Sequence, residues 1–121
     1  MANPAMLEPQ ATVEKSWPNA TSLAKIRREH IRWLLLLHLD TARPEKTTDL
    51  ALLAGIQAIY SSASRRELRR ELDYLALKSL LTIREKSGIW QLKLTFQGID
   101  VVEFTSDCPA GIRRPAAETD F

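Results

Sequence analysis

SASRRELRRELDYLALKSLLTIREKSGIWQLKL, Ser62 to Leu94, decides the fold, because its apolar period changes from helical to alternating part-way along. Ser64-Arg65-Arg66-Glu67 followed by Leu68 has the form of a capping box. In that motif the serine hydroxyl accepts from the Glu67 N–H, and the Glu67 carboxylate reaches back to the Ser64 N–H. A helix is therefore predicted from Ser64 to about Lys78, burying Leu68, Leu72 and Leu75. Beyond it Leu81 and Ile83 alternate with Thr82 and Arg84, and Trp90, Leu92 and Leu94 alternate with Gln91 and Lys93. That is the pattern of two half-buried strands. Lys86-Ser87-Gly88 between them holds a residue free to take positive φ in a tight hairpin turn.

Two further helices precede this stretch. SLAKIRREHIRWLLLLHL, capped by Thr21 or Ser22, places Leu23, Ile26, His30, Leu34 and Leu37 on one face. Trp33, Leu35, Leu36 and Leu39 make its second half apolar nearly all round, which demands burial on more than one side. It is either the centre of the domain or half of a dimer interface, with Trp33 and Leu36 as the interface candidates. After a loop over Asp40 to Thr47, Thr48 caps a second helix with Asp49 in its first turn, and Gly55 in its middle implies a close helix contact. Following the strands, Thr95 caps a short helix to about Phe104, with Phe96, Ile99 and Val102 buried and Val101 a further candidate. Three helices, a hairpin and a short helix make a mainly α domain with a small β-hairpin (α+β), the order of a winged helix-turn-helix. It is expected over residues 21–105, after a proline-containing mobile lead (1–20) pinned by Trp17 and before a polar tail (106–121).

Composition narrows the function. The chain has 121 residues, 45% of them hydrophobic and 26% charged, the profile of one soluble globular domain. One Cys and two isolated His leave neither a disulfide nor a metal framework, so no metal is expected. The run Trp33 to Leu37 is far short of the roughly 18 residues that span a bilayer, and the N-terminus lacks a basic region followed by an apolar one. No membrane and a cytoplasmic location follow as expectations. His30 reads as a hydrogen-bonded packing residue, and His38 and Cys108 show no partners. With no phosphate loop and no base to activate Cys108, neither a cofactor nor an enzyme is expected.

The charge is the informative part. Lys and Arg number 17 against 15 Asp and Glu, a net of +2 that argues against bulk electrostatic glue. Residues 65–86 nonetheless hold five Arg and two Lys against three Glu and one Asp, a net of +3. At about 100° per residue, Arg65, Arg66, Arg69 and Arg70 share an arc of about 140° turned mostly away from the leucines. Stacked arginines cost about 0.2 to 0.5 kcal/mol per pair, a cost that a polyanion would turn into attraction. Such a helix enters the major groove of DNA, where guanidinium groups bind guanine, while Lys86 at the hairpin tip and Lys93 on its outer face would hold phosphates. The plainer reading is a solvated face laced by Glu67–Arg70 and Arg69–Asp73 pairs.

SASRRELRRELDYLALKSLLTI resembles the recognition-helix segment of MarR- and ArsR-type winged-helix regulators, in which a glycine before the second leucine leads into the wing. Leu75 and Leu80 match, and Ser79 stands where glycine is usual. Over residues 23–115, SASRREL, Leu94-Thr95-Phe96-Gln97-Gly98-Ile99-Asp100-Val101 and Gly111-Ile112-Arg113-Arg114-Pro115 are similar, in this order, to segments of a family of small winged-helix proteins of Mu-like phages and prophages. That resemblance implies a fold and a phage setting, and assigns no contact residues. The expectation is a winged-helix protein of bacterial cytoplasm that binds double-stranded DNA, as a homodimer if it regulates transcription. Ser64, Arg65, Arg66, Arg69, Arg70, Lys86 and Lys93 are its candidate contacts. The alternative is a protein-interaction module in phage assembly or DNA packaging, with a phage protein partner on Trp33.

Overall fold

The computed structural model describes residues 19–117, so Trp17, most of the expected lead and residues 118–121 lie outside the described residues. Helix α1 spans Ala20–Ala42, strand β1 Thr47–Thr48, helix α2 Asp49–Gln57 and helix α3 Arg65–Leu77. Strands β2 (Leu81–Lys86) and β3 (Ile89–Leu94) and helix α4 (Phe96–Val102) complete the described elements. This is an α+β domain with the element order of a winged helix. The sheet is antiparallel in the order β1-β3-β2.

Helix α1 starts earlier than Thr21 or Ser22 would have it, because the Asn19 side chain accepts the Ser22 N–H at 2.8 Å. It also runs past Leu39 through Ala42, so the expected loop begins later. Ile31, Trp33, Leu35, Leu36 and Leu39 of this helix are buried among Leu52, Ile56, Leu68, Leu72 and Leu75 of α2 and α3. Trp33 and Leu36, at 6% and 0% exposure, are spent inside the protomer, so of the two alternatives the helix is the centre of the domain and these two residues are not free for a dimer surface. Gly55 is the expected close contact: a Cβ there would overlap the His38 imidazole.

Half of the capping box forms. Ser64 Oγ accepts the Glu67 N–H at 3.1 Å. The Glu67 carboxylate does not return to Ser64; it takes Arg27 Nε and Nη2 at 2.8 and 2.9 Å, since a charged partner outbids a neutral backbone N–H. At the other end of α3, Ser79 N–H donates to Ala76 O and Leu80 N–H to Leu75 O, the two bonds of a Schellman motif. Ser79 occupies its left-handed position at φ 63°, where glycine is the unstrained residue, and Leu75 and Leu80 are both buried. Ser79→Gly is therefore expected to raise stability by about 0.5 to 1 kcal/mol, as relief of left-handed strain exceeds the extra entropy of an unfolded glycine. An upward shift of the urea midpoint at unchanged slope checks it.

The hairpin turn is Ser87-Gly88, with φ 54° and 80°, the positive pair of a type I′ turn. The third strand was not expected. Thr47 and Thr48 sit opposite Leu92 and Gln91, and two residues are too few to show alternation. Helix α4 keeps most of its expected face inward, with Val101 buried and Ile99 and Val102 half-buried against the core, but Phe96 is 87% exposed and Gly98 takes an inner position. Glycine is required there, because a Cβ would run into the Leu80 carbonyl.

The expected polar tail is part of the domain as far as Arg114. Ile112 is buried, and Arg113 donates its N–H to Glu29 O at 3.1 Å. Arg114 Nη1 donates to Val101 O and Ser106 O at 3.0 and 2.9 Å while its guanidinium lies over the Phe104 ring. Arg113 and Arg114 are thus pinned to the body of the domain.

Candidate nucleic-acid interface

Ser64, Arg65, Arg66, Glu67, Arg69, Arg70 and Asp73 of α3 and its cap, with Trp90 of β3, line an open groove of about 850 Å³ between the helix and the wing. All the candidate residues on α3 meet there. Lys86 is exposed beside the hairpin turn. Lys93 is not in this groove; it lies on the outer face of the sheet, lining a separate depression with Lys46, Thr82, Arg84 and Gln91.

The four arginines divide into two pairs. Arg65 and Arg69 converge on Asp49, the first residue of α2, through their Nε atoms at 3.2 and 2.8 Å from Oδ2. Each also donates Nη2 to the Gly88 carbonyl at 2.6 Å, which fills both lone pairs of that oxygen. Asp49 Oδ1 accepts the Trp90 N–H at 3.2 Å, and the Arg69 guanidinium lies 4.5 Å from the Trp90 ring centroid. A carboxylate with no exposed surface therefore locks α2, α3 and the wing together. Burial pushes the Asp49 carboxyl up, and the bonds from Arg69, Trp90 and Arg65 overcome this and hold it below its ordinary range. The like-charge stacking of Arg65 over Arg69, read from the sequence as a cost awaiting a polyanion, is offset within the protein.

Arg66 and Arg70 are the other pair. Both are exposed; Arg66 makes no ion pair among the described residues, and Arg70 makes one contact, Nε to Glu71 Oε2 at 3.3 Å. Of the acids expected to lace this face, Glu67 is drawn elsewhere, and Asp73 stays in the groove, exposed and without an ion pair among the described residues. Glu67 goes to Arg27, whose guanidinium, by its bond to Glu67, holds the carboxyl below its ordinary range. Glu71 is fully buried with Oε1 2.8 Å from Arg32 Nε. Neither Glu67–Arg70 nor Arg69–Asp73 forms an ion pair, because tertiary partners on α1 and α2 compete better than neighbours one turn away. The result is a groove with two fixed and two available guanidinium groups, next to an exposed Ser64 hydroxyl.

Sequence reasoning missed Asp49, Arg27 and Arg32. Asp49 was legible as a helix-start carboxylate, and nothing local marks it as the partner of two arginines in another helix.

The remaining candidates have structural settings. His30 Nδ1 is 2.6 Å from the Tyr60 hydroxyl, the hydrogen-bonded packing role expected of it, and His38 Nδ1 is 2.9 Å from Leu34 O. Cys108 sits 3.9 Å from Ile112 O, and burial pushes its thiol up, away from the reactive thiolate. Among the described residues no group of three His, Cys, Asp or Glu is placed to hold a metal ion, and no helix is long and apolar enough to cross a membrane.

No family model matches the chain, and no curated protein matches it. Among solved structures, RosR of H. salinarum is similar, with a TM-score of 0.55 and 23% identity over 62% of this chain and 67% of that one. At that identity the likeness carries the fold alone, and it supports a winged-helix-type architecture.

Proposed function

We propose that the chain is a non-enzymatic winged-helix protein that binds duplex DNA, a transcriptional regulator of a phage or prophage, with α3 in the major groove and the wing along the backbone. The observation that carries this reading is the available pair Arg66 and Arg70, held on a helix whose other two arginines are fastened to the wing. Planar, always-charged guanidinium groups at the start of such a helix suit guanine edges, and Lys86 and the Ser64 hydroxyl suit phosphates. Paired half-sites call for a dimer, whose surface would lie outside the core positions Trp33 and Leu36. The net charge of +2 implies modest affinity that weakens with salt.

Arg65 and Arg69 are poor probes of this reading, since their loss would free the wing. Arg66→Ala with Arg70→Ala removes exposed side chains and leaves the lock intact. Fluorescence anisotropy on duplex DNA at about 50 mM salt is expected to show binding that the double variant weakens at least about tenfold, each base-reading arginine contributing about 1 to 3 kcal/mol. Unchanged affinity would reject the reading. The second reading, a module for a phage protein in assembly or packaging, loses Trp33 as its contact and rests on the exposed Leu77 and Phe96. A light-scattering mass shift with a co-purified phage protein, in the absence of DNA binding, would favour it.

A further inference from the structure

The wing is basic on both sides. Side chains alternate across a strand, so Trp90 faces the arginine groove while Gln91 and Lys93 face away from it. Lys46, the residue before β1, lines the same depression as Lys93, and Lys93 pairs with Thr82 across β2. One step along, Arg84 pairs with Gln91. The outer face is thus a grid of Lys46, Lys93, Thr82, Gln91 and Arg84 around a depression of about 250 Å³. None of its three cations makes an ion pair among the described residues, and no carboxylate lines the depression. Like charges gathered around one depression repel when nothing lies between them. Their arrangement is complementary to a row of negative charge.

We propose that this outer sheet face is a second duplex-backbone contact, so that one chain holds two DNA segments at once, one in the arginine groove and one against Lys46, Lys93 and Arg84. The inference rests on the DNA-binding reading above. Two features choose DNA over an acidic protein. The depression is lined by Lys46, Lys93, Arg84, Thr82 and Gln91, and its one aliphatic liner, Leu92, is 1% exposed and offers no anchor, whereas protein interfaces concentrate their energy in exposed aromatic and aliphatic anchors and are depleted in lysine. It also lacks a stacking platform for a single strand, since Trp90 faces the other way. A single duplex cannot serve both faces. DNA has a persistence length of about 150 bp, and bends of 40 to 90° over 20 to 30 bp already cost about 1 to 6 kcal/mol. Passing from one side of a hairpin to the other would require a reversal within a few base pairs.

The test is capture of a fluorescent duplex by a second duplex tethered to beads, with the full chain between them, alongside anisotropy on one duplex alone. Lys46→Ala with Arg84→Ala changes two exposed side chains, so its thermal melt is expected to match the parent. The parent chain is expected to retain the free duplex; the double variant is expected to bind a single duplex within about twofold of the parent and to lose at least about nine-tenths of the capture. Capture undiminished in the variant would overturn the proposal, assigning the bridging to self-association. So would a parent chain that binds the tethered duplex and captures nothing. Binding of poly-glutamate by the parent, lost in the variant while no duplex is captured, would reassign the face to an acidic protein and overturn it as well. Failure of the parent to bind any duplex strikes the DNA reading itself, and this inference with it.

Discussion

Asp49→Ala is expected to destabilise the domain by about 3 to 5 kcal/mol, the cost of removing one partner from a buried ion pair. Two guanidinium groups and the Trp90 N–H lose their common acceptor at once. Small domains have only about 5 to 15 kcal/mol in hand, so the variant should unfold at a much lower urea concentration. The wing should loosen first, since Arg65 and Arg69 hold Gly88 only while Asp49 holds them. Hydrogen exchange at the β2–β3 ladder amides, which keep their acceptors in the variant, reads that loosening; protection equal to the parent's would contradict the lock. The same carboxylate gives a pH dependence of definite sign. Its folded value lies below the unfolded one of 3.8, so its stabilisation is complete at neutral pH and drains away as pH falls through the folded value. Glu67, also lowered by Arg27, acts in the same direction from its unfolded value of 4.5. Urea midpoints should therefore fall below about pH 4, and the fall should be shallower in Asp49→Ala.

Glu71→Ala should be comparably damaging, about 3 to 5 kcal/mol, for a different reason. Its carboxylate is buried and faces Arg32, which is itself 12% exposed, lies over the Tyr74 ring and donates Nη1 to Gly111 O at 2.8 Å. Without Glu71, Arg32 is a largely buried charge without its carboxylate, while the bonds of Arg32 to Gly111 O and of Arg113 N–H to Glu29 O still fasten the segment around Ile112 to α1. A fall in Tm of more than about 10 °C is expected for a domain of this size. The double change Arg32→Met with Glu71→Leu should cost much less than the sum of the two singles, because an apolar pair leaves no stranded charge. Strict additivity would show that the pair is not coupled.

Much of the architecture was legible because it is written in local signals. The caps at Thr48, Ser64 and Thr95, the alternation around Ile83 and Leu92, and the Ser87-Gly88 turn each act over a few residues. What stayed hidden depends on distant partners. The fates of Glu67 and Glu71 are set by Arg27 and Arg32, some forty residues away, and no helical wheel contains them. The two-residue strand β1 and the inner position of Gly98 on α4 are likewise imposed by β3 and by the Leu80 carbonyl. The candidate site was legible as a location and not as a division of labour, since the stacking of four arginines gives no hint that two are structural. The motifs behind the phage resemblance also have fold-building roles here. Thr95 caps, Gly98 permits close approach, Gly111 lies against the Tyr74 hydroxyl, and Arg114 ties the end of α4.

The wing is fastened through the carbonyl oxygen of Gly88, a main-chain atom present whatever residues form the rest of the tip. Lys86 and Ser87 are thereby released from any duty in holding the hairpin's position. Mutational drift at these two places has little to lose, provided Ser87 is replaced by a residue such as Asn that tolerates positive φ. Related chains are free to retune what the fingertip touches generation after generation, while the joint behind it stays fixed.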